Sequence, residues 1–189
     1  MNSEAPPMLS EAWRLLWRPG EWSETHTELP RAALLLVGCG AGWLGLIVWT
    51  ILLSTWWIPK EKILTSVVPV MLALPFLLAL LSLAQGALVH LLASQLSGPA
   101  PAGGGVLAPR IGGAGALGYV GLIVPVLSLC LGPGWFVVGL LQYRILRSIV
   151  PPVYGLEPNS ARWIAFGATA PLVVWGSAST LMFVPLFFL

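Results

Sequence analysis

Residues 111–150 read IGGAGALGYVGLIVPVLSLCLGPGWFVVGLLQYRILRSIV, and the number of times the chain crosses a membrane turns on them. From Ile111 to Tyr143 no residue carries a charge. The 40 residues are about twice the ~20 that one helical crossing takes. Gly132-Pro133-Gly134 lies in the middle. Gly lacks a Cβ and Pro lacks an N–H, so such a tripeptide is a turn signal. The stretch therefore reads as two short spans, about 112–131 and 135–150, joined by a hairpin.

Outward from this stretch, the charges divide the chain. Residues 1–31 hold three of the nine basic residues and five of the seven acids, all Glu, since the chain has no Asp. Ala32–Pro59 is charge-free, Lys60-Glu61-Lys62 breaks the run, and Ile63–Pro109 is again without formal charge. Arg110 stands alone, then Arg144, Arg147, Glu157 and Arg162 mark a polar segment before an uncharged C-terminal run. Ser97–Gly105 is rich in Gly and Pro and reads as a loop. The remaining spans fall at about 32–58, 67–95 and 163–188, with Pro69 and Pro75 as expected kinks. The fold class is thus all-α, a polytopic transmembrane bundle of five spans (residues 32–189) behind an N-terminal arm (residues 1–31).

The positive-inside rule tests the count. With five spans and a cytoplasmic N-terminus, seven Arg lie inside and only Lys60 and Lys62 outside. Fusing spans three and four gives four against five, with no bias. Five crossings place the C-terminus outside. Trp56, Trp57, Trp135 and Trp163 fall at span ends, where an amphipathic indole ring favours the membrane interface. In the arm, residues 9–18 form a short amphipathic helix with Ser10 at its start, and Trp13 and Trp17 read as interfacial anchors. Packing of this helix on the protein's own spans is the plainer alternative.

Charged residues are 8 % of the chain and apolar residues 57 %. This excludes a disordered chain. Nine scattered basic residues cannot neutralise a phosphate track, so nucleic acid is excluded as a partner. No soluble small-molecule substrate is evident. Two G-x-G-x-x-G matches, Gly40–Gly45 and Gly113–Gly118, lie inside apolar runs rather than at a strand-to-helix turn, and the second has no acid between Glu61 and Glu157 to serve as ribose partner. They read instead as close-packing faces. Gly38 and Gly42 form one small-xxx-small pair, and Ala114 and Gly118 another. Gly112, Gly115, Gly118 and Gly121 recur every three residues. On an α-helix that spacing drifts round the surface, so span three, Gly121 included, is expected to be central.

His90 is the one titratable group deep in a run and so a site candidate. It is a haem or chlorophyll-type ligand, a proton-transfer group, or a neutral His bonded to a neighbouring helix. Cys39 and Cys130 both fall within spans and read as small core residues. No Ser has an evident base, so hydrolytic chemistry is not expected and the chain reads as a non-enzyme.

Four local patterns resemble the YIP-domain family, five-span membrane proteins named for binding Ypt/Rab GTPases. Leu16-Trp17-Arg18-Pro19 is similar to the Arg-Pro step before span one of many bacterial members. Leu117-Gly118-Tyr119 with Pro125 is similar to the Gly-Tyr…Pro pattern of the third span. Leu92–Gly98 resembles the exit of span two into a Gly-rich loop, and Tyr154-Gly155-Leu156…Ala161 the short connection before span five. The Asp-Leu-Tyr-Gly-Pro element of eukaryotic members is absent, so the resemblance is to the bacterial branch. It implies a bacterial inner-membrane location and a non-enzymatic organiser or partner-binding scaffold. Its partners would be membrane lipids and other transmembrane proteins, in a homo- or hetero-oligomer. Trp43, Trp49 and Trp175 deep in spans point to the alternative, an accessory subunit of a photosynthetic or respiratory complex that holds pigment, haem or lipid near His90. A small transporter is the remote reading.

Overall fold

The computed structural model describes residues 7–21, 30–57, 68–97, 104–124 and 131–183. Among these residues all regular structure is helical. The helices are α1 (Pro7–Trp17), α2 (Leu34–Trp57), α3 (Val68–Ser97), α4 (Gly104–Ala116), α5 (Leu131–Tyr154) and α6 (Pro158–Phe183), with a 3₁₀ segment (Leu117–Ile123) continuing α4. Among the described residues, four stretches are long and apolar enough to cross a membrane: Leu34–Leu52, Val68–Ser97, Val106–Ile123 and Gly132–Tyr154. The α6 helix, with 26 residues, is about 39 Å long at ~1.5 Å per residue, and it packs along α5.

Two core clusters show how the helices run. One joins α1 (Ala12, Leu15, Leu16) and the start of α2 (Leu34) to the end of α3 (Val89, Ala93). It continues through α4 (Ile111, Ala114), the second half of α5 (Ile145, Ile149, Tyr154) and the start of α6 (Ala161, Ile164). The other joins Cys39, Leu46, Leu78, Tyr119, Leu122 and Val138. Consecutive long helices therefore alternate in direction. Arg18, Arg31, Arg110, Arg144, Arg147 and Arg162 all lie on the helix portions of the first cluster or beside them.

The α4–3₁₀ rod is the centre. Every residue from Ile111 to Tyr119 is buried, and α2, α3 and α5 pack around it. Small residues make this possible, because a Cβ would fill the crossing points. On Gly38 it would fall into the backbone of Ala116, and on Gly86 into Ala108 and Gly112. On Gly42 it would lie 2.7 Å from the Tyr119 Cβ, and on Gly121 2.8 Å from the Val138 nitrogen. Gly118 meets the Gln142 side chain, and Ala114 is wholly buried.

The three-residue glycine spacing has a different outcome from the drift expected of an α-helix. From Leu117 the rod tightens into 3₁₀ geometry, with about three residues per turn. Gly118 and Gly121 then stack on one face against Val138 and Gln142 of α5. Tyr119 and Leu122 stack on another face, over Gly42 and Gly45 of α2.

Pro75 lies inside α3 and cannot donate to the carbonyl four residues back. That carbonyl belongs to Met71, and the Trp43 indole Nε1–H donates to it at 2.8 Å. A polar group stranded in an apolar interior is thereby satisfied from the next helix. Pro69 sits in the first turn of α3, where no helical hydrogen bond is lost.

Several boundaries differ from the expected ones. Gly132-Pro133-Gly134 is the first turn of α5, not the hairpin, because a missing N–H costs nothing where helical N–H groups have no partner. The helices in this stretch thus run over 104–123 and 131–154, and residues 125–130 between them lie outside the described residues. The α4 helix starts at Gly104 within the Gly-rich stretch, since its Ala108 and Gly112 pack on Gly86. Pro7 opens α1 as a first-position proline, which puts Ser10 in the first turn rather than at the cap. At the α5–α6 corner Gly155 adopts φ +60°. The Leu156 N–H reaches back to the Pro151 carbonyl at 3.3 Å, a C-terminal closure that suits Gly, and Pro158 starts α6.

Two variants test the crossing. Gly38→Ala should destabilise the detergent-solubilised protein by about 1–3 kcal/mol. Gly40→Ala, which meets nothing within 4 Å among the described residues, should be neutral or slightly stabilising; thermal unfolding checks both. For the Pro75 device, Trp43→Phe should cost about 1 kcal/mol in the native chain. It should cost clearly less beside Pro75→Ala, which restores the helical donor, and a double-mutant cycle reads the coupling.

Candidate functional site

Three polar places interrupt the apolar body. The deepest joins three helices. Gln142 on α5 is fully buried. The Gln85 Nε2 on α3 donates to its Oε1 at 2.9 Å and to the Ala168 carbonyl of α6 at 3.1 Å. Ser82 is also fully buried, and the Tyr119 hydroxyl donates to the Leu78 carbonyl at 3.2 Å while neighbouring Ser82 and Gln142. The Ser82 hydroxyl and Gln142 Nε2 have no hydrogen-bond partner among the described residues. An amide pair of this kind fixes the register of α3, α5 and α6, since its donors and acceptors are directional.

The second place is His90. It is half-buried on α3, and its Nδ1 lies 2.5 Å from the Tyr154 hydroxyl at the end of α5. Their rings are 5.8 Å apart. Ser94, a close neighbour in the sequence, turns instead to the Leu91 carbonyl. The contact ties α3 to the end of α5. Among the described residues no group of three or more His, Cys, Asp or Glu could hold a metal ion. Cys39 is a buried free thiol, and Cys130 lies outside the described residues.

The third place is the charged end of the bundle, where α1 lies across α2 and α5. Ala12, Leu15 and Leu16 face the core. Leu9, Trp13 and Trp17, spaced by four, form an exposed stripe beside them, at 48 %, 65 % and 51 % exposure. The helix therefore both packs on the protein and shows indoles outward. Glu11 holds it to the chain before α2, accepting from the Arg31 backbone N–H at 3.1 Å with the guanidinium at 3.6 Å. The other interfacial candidates divide. Trp163 is exposed, edge-on to Phe166 at 6.2 Å. Trp135 is half-buried and stands edge-on to Tyr119 at 6.4 Å. Trp56 and Trp57 are the last residues of α2, and their side chains lie outside the described ones. Of the deep indoles, Trp43 serves Met71, Trp49 is half-buried, and Trp175 is exposed.

Sequence reasoning missed the glutamine pair and the Tyr154 partner of His90. Gln85 and Gln142 were visible as uncharged polar residues within apolar runs, and a search for complementary amides would have found them. No family model, curated protein or solved structure matches the chain.

Gln142→Ala should destabilise the protein by about 1–3 kcal/mol, because it removes one of the two acceptors of the Gln85 amide and a buried side chain. The double variant Gln85→Leu/Gln142→Leu should cost less than the two single changes together. Coupling of about 0.6 kcal/mol or more is expected for amides paired across membrane helices, and unfolding in mild detergent measures it.

Proposed function

We propose that the chain is a non-enzymatic integral membrane protein of five spans, α6 being the fifth, that serves as a partner-binding scaffold of the bacterial YIP-like kind. The N-terminus is cytoplasmic and the C-terminus is outside. Alternation of helix direction supports five crossings, because α6 starts beside the Arg-bearing end of α5 and runs back along it. The seven-to-two distribution of basic residues supports the orientation.

One observation carries the scaffold reading. The outward face of α6 bears Trp163, Phe166 and Val174, exposed at 74 %, 54 % and 66 %. Gly167 lies between them with nothing within 4 Å among the described residues. Elsewhere in this protein helices cross at glycine, as at Gly38 and Gly86. An aromatic-flanked notch on an otherwise finished helix suits a further transmembrane helix, since small residues set the sites of close approach in lipid.

A reporter fused after Leu189 should report an external location, and a cytoplasmic signal overturns five spans. Gly167→Leu fills the notch, where an added Cβ meets nothing within 4 Å among the described residues. It should leave thermal stability unchanged and abolish a discrete adduct seen on cross-linking in native membranes. A wild-type chain that yields no adduct rules the scaffold out.

A further inference from the structure

We propose that the cleft between the end of α1 and the second half of α5 binds the phosphate headgroup of an anionic phospholipid. The cleft has a volume of about 400 Å³, and Arg18, Arg144, Arg147, Tyr143 and Ser148 contribute to its wall. Three guanidinium groups thus meet one carboxylate, that of Glu21. Arg18 and Glu21 are 3.4 Å apart and well exposed, an arrangement that contributes little in water. Two cationic groups remain in excess.

Their geometry suits an oxyanion. One nitrogen of Arg144 donates to the Trp17 carbonyl at 2.8 Å, which anchors the guanidinium at the C-terminal end of α1. A guanidinium carries five N–H donors in a flat fork, so the others stay available to a second acceptor. Arg147 lies one turn further along α5, exposed, and makes no ion pair among the described residues. Ser148 donates to the Arg144 carbonyl at 3.1 Å, which turns its oxygen toward the helix and leaves the arginines to face the cleft. Arg forks match phosphate oxygens two at a time.

The surroundings choose a lipid over a soluble phosphate. The exposed Leu9-Trp13-Trp17 stripe borders the cleft through Trp17, and the Trp13 and Trp17 rings stand 5.5 Å apart. On α5 the chain is charge-free from Leu131 to Tyr143 and turns basic at Arg144. A phospholipid presents the same order, with acyl chains, then glycerol, then phosphate. A free anion would use the arginines and leave the indoles without purpose.

The proposal rests on the bundle being embedded in a bilayer, which alkaline carbonate washing of membranes checks separately; release of the chain there would refute embedding itself. The test is native mass spectrometry of the full chain in mild detergent, with phosphatidylglycerol or phosphatidylcholine added. Phosphatidylglycerol should be retained in preference. Arg147→Gln, which leaves the Arg144–Trp17 contact intact, should lower that retention by about tenfold, the effect of one charge-assisted hydrogen bond. Arg147→Lys should lower it less, and neither should move the unfolding temperature. Equal retention of both lipids, or no loss in Arg147→Gln, overturns the site. Displacement of the lipid by millimolar inorganic phosphate would make it a soluble-anion site and equally overturn the lipid assignment.

Discussion

Everything in this bundle depends on backbone meeting backbone at the central rod. In a bilayer the surrounding solvent is as apolar as leucine, so burying leucine supplies little reason for helices to associate. What remains is dispersion between closely apposed atoms and hydrogen bonds that lipid cannot replace. The rod supplies the first through Gly112, Gly118 and Gly121, each facing a different neighbour or level, while α2 and α3 answer with Gly38, Gly42 and Gly86. Side chains on these helices then fall into two populations. Those beside the glycines are buried, such as Tyr119 and Leu122, and those opposite, such as Phe76 and Leu80 on α3, stay exposed.

The second requirement, a hydrogen bond for a buried polar group, explains the placement of several of the scarce polar residues. Trp43 answers the carbonyl freed by Pro75. Thr50 returns its hydroxyl to the Leu46 carbonyl at 2.7 Å, and Thr169 to the Ala165 carbonyl at 2.8 Å. Gln85 and Gln142 answer each other. None of these residues is charged; the two threonines satisfy themselves within their own helices, while the Trp43 and Gln85 bonds tie one helix to another. Specificity of packing in this chain is therefore held by a few neutral hydrogen bonds, set among crossings that only glycine fits.

How much of this was legible beforehand follows from what each signal depends on. The apolar runs and the charges between them depend on the solvent alone, and they located the long helices within several residues. The small residues at Gly38, Gly42, Ala114, Gly118 and Gly121 were visible because close approach needs a missing side chain wherever the partner lies. Gly132-Pro133-Gly134 misled, because a breaker inside a helix and a starter at its first turn have the same composition. The 3₁₀ geometry was hidden in the glycine period, which fits three residues per turn better than 3.6. The His90–Tyr154 and Gln85–Gln142 contacts join residues 64 and 57 apart. Their pairing depends on which helices become neighbours, and local pattern carries no record of that.

The 3₁₀ segment also sets how far the rod reaches. A residue in this geometry advances about 2.0 Å against 1.5 Å in an α-helix. Over the seven residues from Leu117 to Ile123 the gain is about 3.5 Å. Gly104–Ile123 would span about 30 Å as pure α-helix, only just the hydrocarbon thickness. Stretching its far half gives the central rod a margin against hydrophobic mismatch that its longer neighbours get from extra residues. The most buried of the four candidate spans among the described residues is thus also the one that 3₁₀ geometry lengthens.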